Sequence, residues 1–461
     1  MTKDNKNTNG IKDVKDTKDS KDSKDTKDNK ASSRAYRPWQ IKIFAATWLA
    51  YAGYYFCRKA FYIVKGDLAD TMGLTTAHLA HLGTAYLVAY MIGQFSSAWF
   101  GRRLGPKLLL LVGMAISIAC NVVFGVSNGF WTVMLFLSLN GLAQGTGWPG
   151  CIGSLAYWFR RKERGSILGV WSTCYQLGSI AAGSFAAFML GLWGWRWSFF
   201  GASIVLLIIW FVVLVLHPNR PEDVGLQPLA DDDENDEAES PDKNQKTTPT
   251  TNQNKIAKLG WTSKTITTIL IMGTIYFCIK FLRYALWSWT PYFLNRNFDL
   301  AGDRAGYLST VFDLTGFIGV LAAGFLSDRL FKGRRAFISF AMITMMALGF
   351  VFMYYLGAES VIMFAVSMGL VGFMLYGPDS LISGVGAIDV GSKRGALVAA
   401  GIINGMGSAG PVFQEQIIGW LYYAFDNQLG PILGVFVGVA AVAAALTFVL
   451  WLRARRGLVK L

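Results

Sequence analysis

The sequence predicts an all-α membrane protein, with twelve transmembrane helices in two pseudo-symmetric six-helix bundles. Of its 461 residues, 53% are hydrophobic and only 16% are charged, a composition too apolar for a soluble chain of this length. Apolar segments of about 20 residues recur along the chain, each long enough to cross a hydrocarbon core of about 30 Å. A long polar segment divides these apolar segments into six and six, which predicts the two bundles.

Glycine and proline interrupt several predicted spans, at residues 147–150, 377–378 and 405–411. Such breaks are tolerated in membrane helices where they face protein or a water-filled cavity. The twelve predicted spans are residues 41–64, 77–99, 107–127, 129–157, 165–190, 195–216, 265–293, 304–327, 336–356, 359–385, 395–423 and 429–452.

Two polar segments lie outside the spans. Residues 1–33 repeat lysine and aspartate with little apolar surface to bury, which predicts a disordered cytoplasmic tail. Residues 217–262 contain an acidic run and many Thr, Asn, Gln and Lys residues, which predicts a flexible cytoplasmic linker. The bundles then comprise residues 34–216 and residues 263–461.

Basic residues in the short loops predict the orientation. They cluster after the even-numbered spans, so the positive-inside rule places those loops and both termini in the cytoplasm. The net charge of +14 is therefore explained without nucleic acid as a partner. Clusters occur at Arg102, Arg103 and Lys107, at Arg160 to Arg164, at Arg329 to Arg335, at Lys393 and Arg394, and from Arg453 onward. The opposite loops hold only Lys65, Arg196, Arg296 and Arg304.

Catalytic and metal-binding patterns are missing from the sequence. The five cysteines lie in apolar segments without metal-ligand spacing, and the three histidines are scattered. Because no nucleophile, base and orienting group come together in any motif, we expect no enzyme activity, no cofactor and no metal.

Two adjacent cations, Arg58 and Lys59, lie deep in the first predicted span. A charge at bilayer depth costs several kcal/mol, so it indicates a functional site. Neighbouring residues project about 100° apart around a helix, so these two side chains face different directions.

Arg283 lies about as deep in the seventh span, which is the first span of the second bundle. Pseudo-symmetry therefore predicts that Arg58 and Arg283 face one central cavity. Two guanidinium groups there suit a multiply charged oxyanion, because each presents a planar fork of donors that matches phosphate oxygens. The alternative is that each arginine is neutralised within its own half, by acidic residues such as Asp313, Asp379, Asp389 or Glu415.

The loops after the second and eighth spans match each other in position and resemble a known signature. Residues 324–335 are similar to the short-loop signature of the major facilitator superfamily, and residues 101–107 are a degenerate version with Arg102 in the acidic position. The resemblance implies the major facilitator fold. It also implies a cytoplasmic gate, for which the candidates are Arg102, Arg103, Asp328 and Arg329.

Within that superfamily the chain resembles the organophosphate:phosphate antiporters, which include bacterial glycerol-3-phosphate and hexose-phosphate transporters and the solute carrier family thirty-seven sugar-phosphate exchangers. The resemblance extends over residues 41–455 and lies in residues 54–59, 141–150, 158–165, 171–172, 220–226, 282–284 and 289–291. It implies exchange of a phosphorylated small molecule for inorganic phosphate by alternating access, with Arg58 and Arg283 holding the phosphate. The other candidate substrate-binding residues are Tyr54, Lys59, Gln94, Gln144, Trp148, Tyr175, Lys280, Tyr284, Trp287 and Asp379.

Two positions depart from the glycerol-phosphate carriers. Tyr175 stands where they have a histidine, and Gln94 stands where they have a lysine. These neutral groups either read hydroxyls of the substrate or simply lower the positive charge of the site. For Lys59 and Lys280 two interpretations also stay open, contact with substrate or pairing with Asp313, Asp379 or Glu415.

The resemblance leaves two alternatives, a membrane-bound sugar-phosphate sensor of the same fold and a symporter of another organic anion. We expect an integral multi-pass protein of the bacterial inner (plasma) membrane, with phosphate and a phosphorylated small molecule as ligands. Since nothing in the sequence requires a partner chain, we expect a monomer.

Overall fold

The computed structural model describes residues 9–228, 262–326, 335–382 and 387–456, and these residues are almost entirely α-helical. The first half contains α1 (Asn9–Ile63), α2 (Lys65–Met72), α3 (Thr76–Val126), α4 (Phe130–Gln144), α5 (Gly147–Trp158), α6 (Arg161–Trp171), α7 (Thr173–Trp193) and α8 (Trp195–Leu216). The second half contains α9 (Ser263–Phe298), α10 (Gly302–Phe325), α11 (Arg335–Phe352), α12 (Val361–Ser380), α13 (Ala387–Ala424) and α14 (Leu429–Arg455).

The predicted spans correspond to these helices. Within the described residues, eight helical segments are long and apolar enough to cross a membrane. The other four predicted spans are also helical: residues 41–64 in α1, 77–99 in the first arm of α3, 129–157 as α4 and α5, and 395–423 in α13. The all-α membrane fold is therefore confirmed.

Local backbone chemistry explains the interruptions. The two arms of α3 meet at Gly105, whose φ of 74° lies in the left-handed region that favours glycine, and Pro106 follows. The backbone N–H of Lys107 donates to Asn219 Oδ1 (3.0 Å), so this turn is fixed to the residues that follow α8. The predicted fourth span is divided between α4 and α5 at Gly145 and Thr146.

Helix α1 begins at Asn9 and therefore includes residues 9–33, which the sequence predicts to be a disordered tail. The predicted linker falls largely in residues 229–261, outside the described residues, so the domain boundaries stay predictions.

Among the described residues, five helix pairs join the two halves: α3 packs against α13, α7 against α10, α1 against α9 and α10, and α2 against α9. At the end of the molecule that carries α2, polar contacts also join the halves. Asp70 pairs with Arg296, and Gln416 Nε2 donates to Thr84 Oγ1 at 2.6 Å. The halves are therefore in contact at this end, beyond the centre of the spans.

Candidate functional site

A cavity of about 330 Å³, partly continuous with open solvent, lies between the two halves. Its walls come from five helices: Tyr55 and Arg58 from α1, Tyr175, Gln176 and Ser179 from α7, Arg283, Tyr284 and Trp287 from α9, Asp313 from α10, and Tyr376 from α12.

Arg58 is held in this cavity by neutral groups. Its Nε donates to Gln144 Oε1 at 2.9 Å, and the Tyr86 hydroxyl donates to the same oxygen at 2.9 Å. The guanidinium carbon lies 5.0 Å from the ring centre of Tyr55 and 4.9 Å from that of Tyr90, at cation–π distance. Its Nη2 is buried and bonds to no described residue, and no described carboxylate pairs with it. The Arg58 charge is thus oriented but not neutralised.

A network of buried amides and a hydroxyl fixes the position of Gln144. Its Nε2 donates to Ser117 Oγ and to Asn140 Oδ1, both at 3.2 Å. Asn140 and Asn121 in turn donate to the backbone carbonyl of Cys57, one residue before Arg58. Gln144 is the last residue of α4. It therefore positions Arg58 and does not itself line the cavity.

Arg283 is different, because a carboxylate of its own half neutralises it. Its Nη1 lies 2.8 Å from Asp379 Oδ2 on α12, and its guanidinium stacks 4.5 Å from the ring centre of Tyr376. Among the described residues, a carboxylate of the same half therefore neutralises Arg283, as the alternative predicts. No described carboxylate neutralises Arg58.

Lys59 pairs across the two halves. Its Nζ lies 3.4 Å from Asp313 Oδ2, and it also donates to the Trp287 carbonyl at 3.3 Å. The carboxylate of Asp313 further accepts from Ser179 Oγ and from the Tyr376 hydroxyl, both at 2.6 Å. Lys59 is thus a buried structural cation that touches the cavity only through Asp313.

Lys280 points to α13 instead. Its Nζ donates to Ser408 Oγ at 3.4 Å and lies 4.8 Å from the ring centre of Tyr276. The cavity itself is lined by two cations, Arg58 and Arg283, and by one carboxylate, Asp313, so its lining carries an excess of one positive charge.

A second buried ion pair lies nearer the end that carries α2. Lys65 Nζ is 3.4 Å from Glu415 Oε2, and both side chains are fully buried. Ser288 Oγ and Trp289 Nε1 each donate to Glu415 at 2.8 Å, and the Lys65 ammonium lies 3.9 Å from the Trp289 ring centre. The sequence predicts a loop position for Lys65, but the residue forms an ion pair that joins α2 to α13.

Comparison with known proteins identifies the family. The sequence profile of the Major Facilitator Superfamily matches residues 47–413, most of the chain. The chain belongs to the Major Facilitator Superfamily. A solved facilitator, a bacterial homolog of the human lysosomal transporter Spinster in an inward-facing, unoccupied conformation, has a TM-score of 0.69 at 15% identity and covers 90% of this chain and 97% of its own. That likeness supports the fold alone.

Curated relatives of this facilitator include transporters named for organophosphates and a membrane sensor. A probable hexose phosphate transport protein of Chlamydia pneumoniae is 26% identical, covering 84% of this chain and 86% of its own. The glycerol-3-phosphate transporter of Bacillus subtilis (strain 168) is 27% identical, covering 88% and 92%. The membrane sensor protein UhpC of Salmonella typhimurium (strain LT2) is 26% identical, covering 90% and 92%. The family resemblance seen in the sequence is confirmed.

Several other predicted site residues of this facilitator lie beside the cavity lining. Tyr54 is fully buried, with its hydroxyl 3.0 Å from Thr146 Oγ1. Trp148 packs against Tyr175, with ring centres 5.9 Å apart. Gln94 donates its amide to the Tyr90 hydroxyl at 3.2 Å.

The predicted gate is described only in part. Arg103 stacks on Trp99, with the guanidinium carbon 4.3 Å from the ring centre. The Arg102 side chain, Asp328 and Arg329 lie outside what the structure describes. The gating role of all four residues stays a prediction.

Five lining residues were not among the predicted site residues: Tyr55, Gln176, Ser179, Asp313 and Tyr376. Two features of the sequence indicate Asp313 and Ser179. An acidic residue within a span, such as Asp313, indicates function by its cost. Ser179 lies four residues after Tyr175, and this spacing places both on one helix face.

Proposed function

We propose that this facilitator exchanges a phosphorylated small organic molecule for inorganic phosphate by alternating access, with Arg58 and Arg283 holding the phosphate. The observation that carries the proposal is the Nη2 of Arg58, which is buried and bonds to no described residue, in a cavity whose lining carries an excess of one positive charge. A phosphate monoester carries about −1.5 to −2 charges at pH 7 and three strong acceptor oxygens, so it balances this excess and supplies acceptors for the arginine donors.

Arg58 and Arg283 take unequal parts in the proposed site. Arg58 is oriented by Gln144 and Tyr86 and offers its free Nη2 without first leaving a carboxylate. Arg283 is paired with Asp379, so phosphate competes with that carboxylate. We infer that phosphate binds Arg58 first and then recruits Arg283.

The same charges give a physical reason for exchange. Closing the cavity around an uncompensated guanidinium is expensive, because a buried charge needs a partner. A bound phosphate supplies that partner, so the loaded carrier changes between its two orientations more readily than the empty one. Net transport of one substrate is then slow, and exchange of one phosphate-bearing ligand for another is fast.

The relatives named for hexose phosphate and glycerol 3-phosphate support a phosphorylated organic substrate. The loop charges support an inner (plasma) membrane protein with both termini cytoplasmic, and we propose a monomer as the functional unit.

A sensor is the second candidate, favoured by the relative named a membrane sensor protein. It would bind the same ligands without exchanging them.

Reconstituted vesicles test the proposal directly. Vesicles are loaded with labelled inorganic phosphate and diluted into buffer with unlabelled glucose 6-phosphate or glycerol 3-phosphate. We expect either compound to accelerate the release of label. Binding of these compounds without accelerated release would favour the sensor, and release driven equally by a non-phosphorylated anion would favour a different symporter or carrier.

A further inference from the structure

Most polar groups that line the cavity are already committed to partners in the protein. Ser179 donates to Asp313 and accepts from Trp287 Nε1 at 2.8 Å. Asp313 accepts from Lys59, Ser179 and Tyr376, so both its oxygens are occupied. These groups stabilise the contact between halves and have little capacity left for a ligand.

Gln176 is an exception on the same wall. Its half-buried side chain lines the cavity from α7, and its amide makes no hydrogen bond to any described residue. An amide left without hydrogen-bond partners in a desolvated site costs free energy. Binding of a ligand that supplies those partners is therefore favoured. The side-chain amide of Gln176 therefore has to form its hydrogen bonds with water or with the substrate.

The neighbouring Tyr175 holds this part of α7 in a fixed position. Its ring centre lies 5.0 Å from that of Tyr51, 5.8 Å from that of Trp171 and 5.9 Å from that of Trp148. Such a packed aromatic cluster restricts motion, so the Gln176 amide is presented from a rigid base.

The chemistry of the amide suits hydroxyl groups better than phosphate. Gln176 presents a donor NH₂ and an acceptor carbonyl side by side, whereas the ionised oxygens of a phosphate group only accept, so they pair with the NH₂ alone. A hydroxyl both donates and accepts, so a polyhydroxylated carbon chain can satisfy both ends of the amide. The two arginines, which only donate, are the complementary part of the cavity for phosphate.

We propose that Gln176 is a specificity-determining residue that hydrogen-bonds hydroxyl groups in the organic part of the substrate. This inference rests on the proposed function and adds to it the substrate class, a polyhydroxylated phosphate ester such as a sugar phosphate. Arg58 and Arg283 hold the phosphate common to both exchange partners, and Gln176 distinguishes the organic ester from inorganic phosphate.

Competition binding to the purified full-length protein tests this role. Labelled inorganic phosphate is displaced by unlabelled phosphate, glycerol 3-phosphate or glucose 6-phosphate, for wild type, Gln176→Leu and Gln176→Asn. For Gln176→Leu we expect phosphate affinity within about twofold of wild type and a loss of about tenfold for glucose 6-phosphate, as for one or two hydrogen bonds. Gln176→Asn keeps the amide and should recover part of the loss. The matched control is Gln40→Leu, since the Gln40 amide donates to the Trp158 carbonyl away from the cavity.

The outcomes separate this inference from the proposed function. Equal loss of affinity for phosphate and glucose 6-phosphate in Gln176→Leu would indicate a structural role and overturn the inference, as would an unchanged ratio of the two. Displacement of phosphate by phosphate but not by glucose 6-phosphate in wild type would overturn the inference while leaving a phosphate site. A wild-type protein that binds no phosphate would overturn both.

Discussion

At the scale of single residues, the two arginines of the cavity differ in how their charge is balanced. Arg283 has a carboxylate at 2.8 Å, whereas the described surroundings of Arg58 are tyrosines and amides. The sequence predicts both arginines, because a guanidinium at bilayer depth is expensive and both occupy the same position in their halves. It could not assign the Asp379 partner, since several acidic residues in the spans were equally available.

Replacing either arginine with lysine should weaken phosphate binding strongly. Lysine keeps the charge but replaces a planar fork of donors with a point charge. A lost charge-assisted hydrogen bond costs about 1.5–3 kcal/mol, so we expect an affinity loss of about 10- to 100-fold for Arg58→Lys and Arg283→Lys. Equilibrium binding of labelled phosphate measures it, with the exposed Arg304→Lys as a control. Near-normal binding in both variants would refute the arginine pair as the phosphate site.

Buried His217, just after α8, should make stability depend on pH. Burial lowers the pKa of His217 to about 4, below the usual value near 6.5, and its Nε2 lies 2.7 Å from Ser154 Oγ. Because the folded pKa is the lower one, stabilisation present above about pH 6.5 is lost as the pH falls toward 4.

The melting temperature in detergent between pH 7 and pH 5 tests this. We expect a fall for wild type and a smaller fall for His217→Gln, whose side chain cannot take up a proton in this range. Parallel curves for the two proteins would show that His217 contributes nothing to the pH dependence.

At the scale of elements, glycine and proline determine where helices break and how closely they pack. The sequence predicts twelve apolar segments correctly because length and hydropathy are local properties. It did not predict how the second and third spans meet, through the non-helical backbone of Gly105. That turn depends on docking against Asn219, which lies more than a hundred residues away in the chain.

Close packing of α10 against α12 should make Gly319 intolerant of a side chain. A Cβ at Gly319 would overlap the carbonyl oxygen of Phe373, whereas a Cβ at Gly324 on the same helix would meet nothing within 4 Å. We expect Gly319→Ala to destabilise the protein by ~1–3 kcal/mol and Gly324→Ala to have little effect. Thermal unfolding in detergent measures both, and equal melting temperatures would contradict this packing.

At the scale of the whole molecule, two buried ion pairs between described residues join the halves, Lys59–Asp313 and Lys65–Glu415. Asp313 and Glu415 were recognised in the sequence as charges within spans. Their partners could not be assigned, because Lys65 and Glu415 are 350 residues apart and only the folded arrangement of α2 and α13 brings them together. For the same reason, the sequence predicted that the chain forms two halves but did not predict which residues join them.

A double-mutant cycle on Lys65–Glu415 should reveal strong coupling. Removing one member leaves the other charge buried and alone, which costs ~3–5 kcal/mol, while replacing both removes that penalty. We therefore expect Lys65→Met and Glu415→Gln to lower the melting temperature more as single variants than together. The pair Asp70–Arg296, where 62% of the Asp70 side chain is exposed, should cost less than ~1 kcal/mol to break. Additive losses at Lys65 and Glu415 would contradict a buried ion pair between the halves.

The central claim is that a bound phosphate allows the two halves to change between the two orientations of the carrier. The efflux of labelled phosphate from reconstituted vesicles tests this claim most directly. Efflux is compared with and without unlabelled phosphate outside, for wild type and Arg58→Lys. We predict rapid efflux for wild type only when phosphate is present outside, and slow efflux for Arg58→Lys in both conditions. Wild-type efflux that is equally fast into phosphate-free buffer would contradict the account.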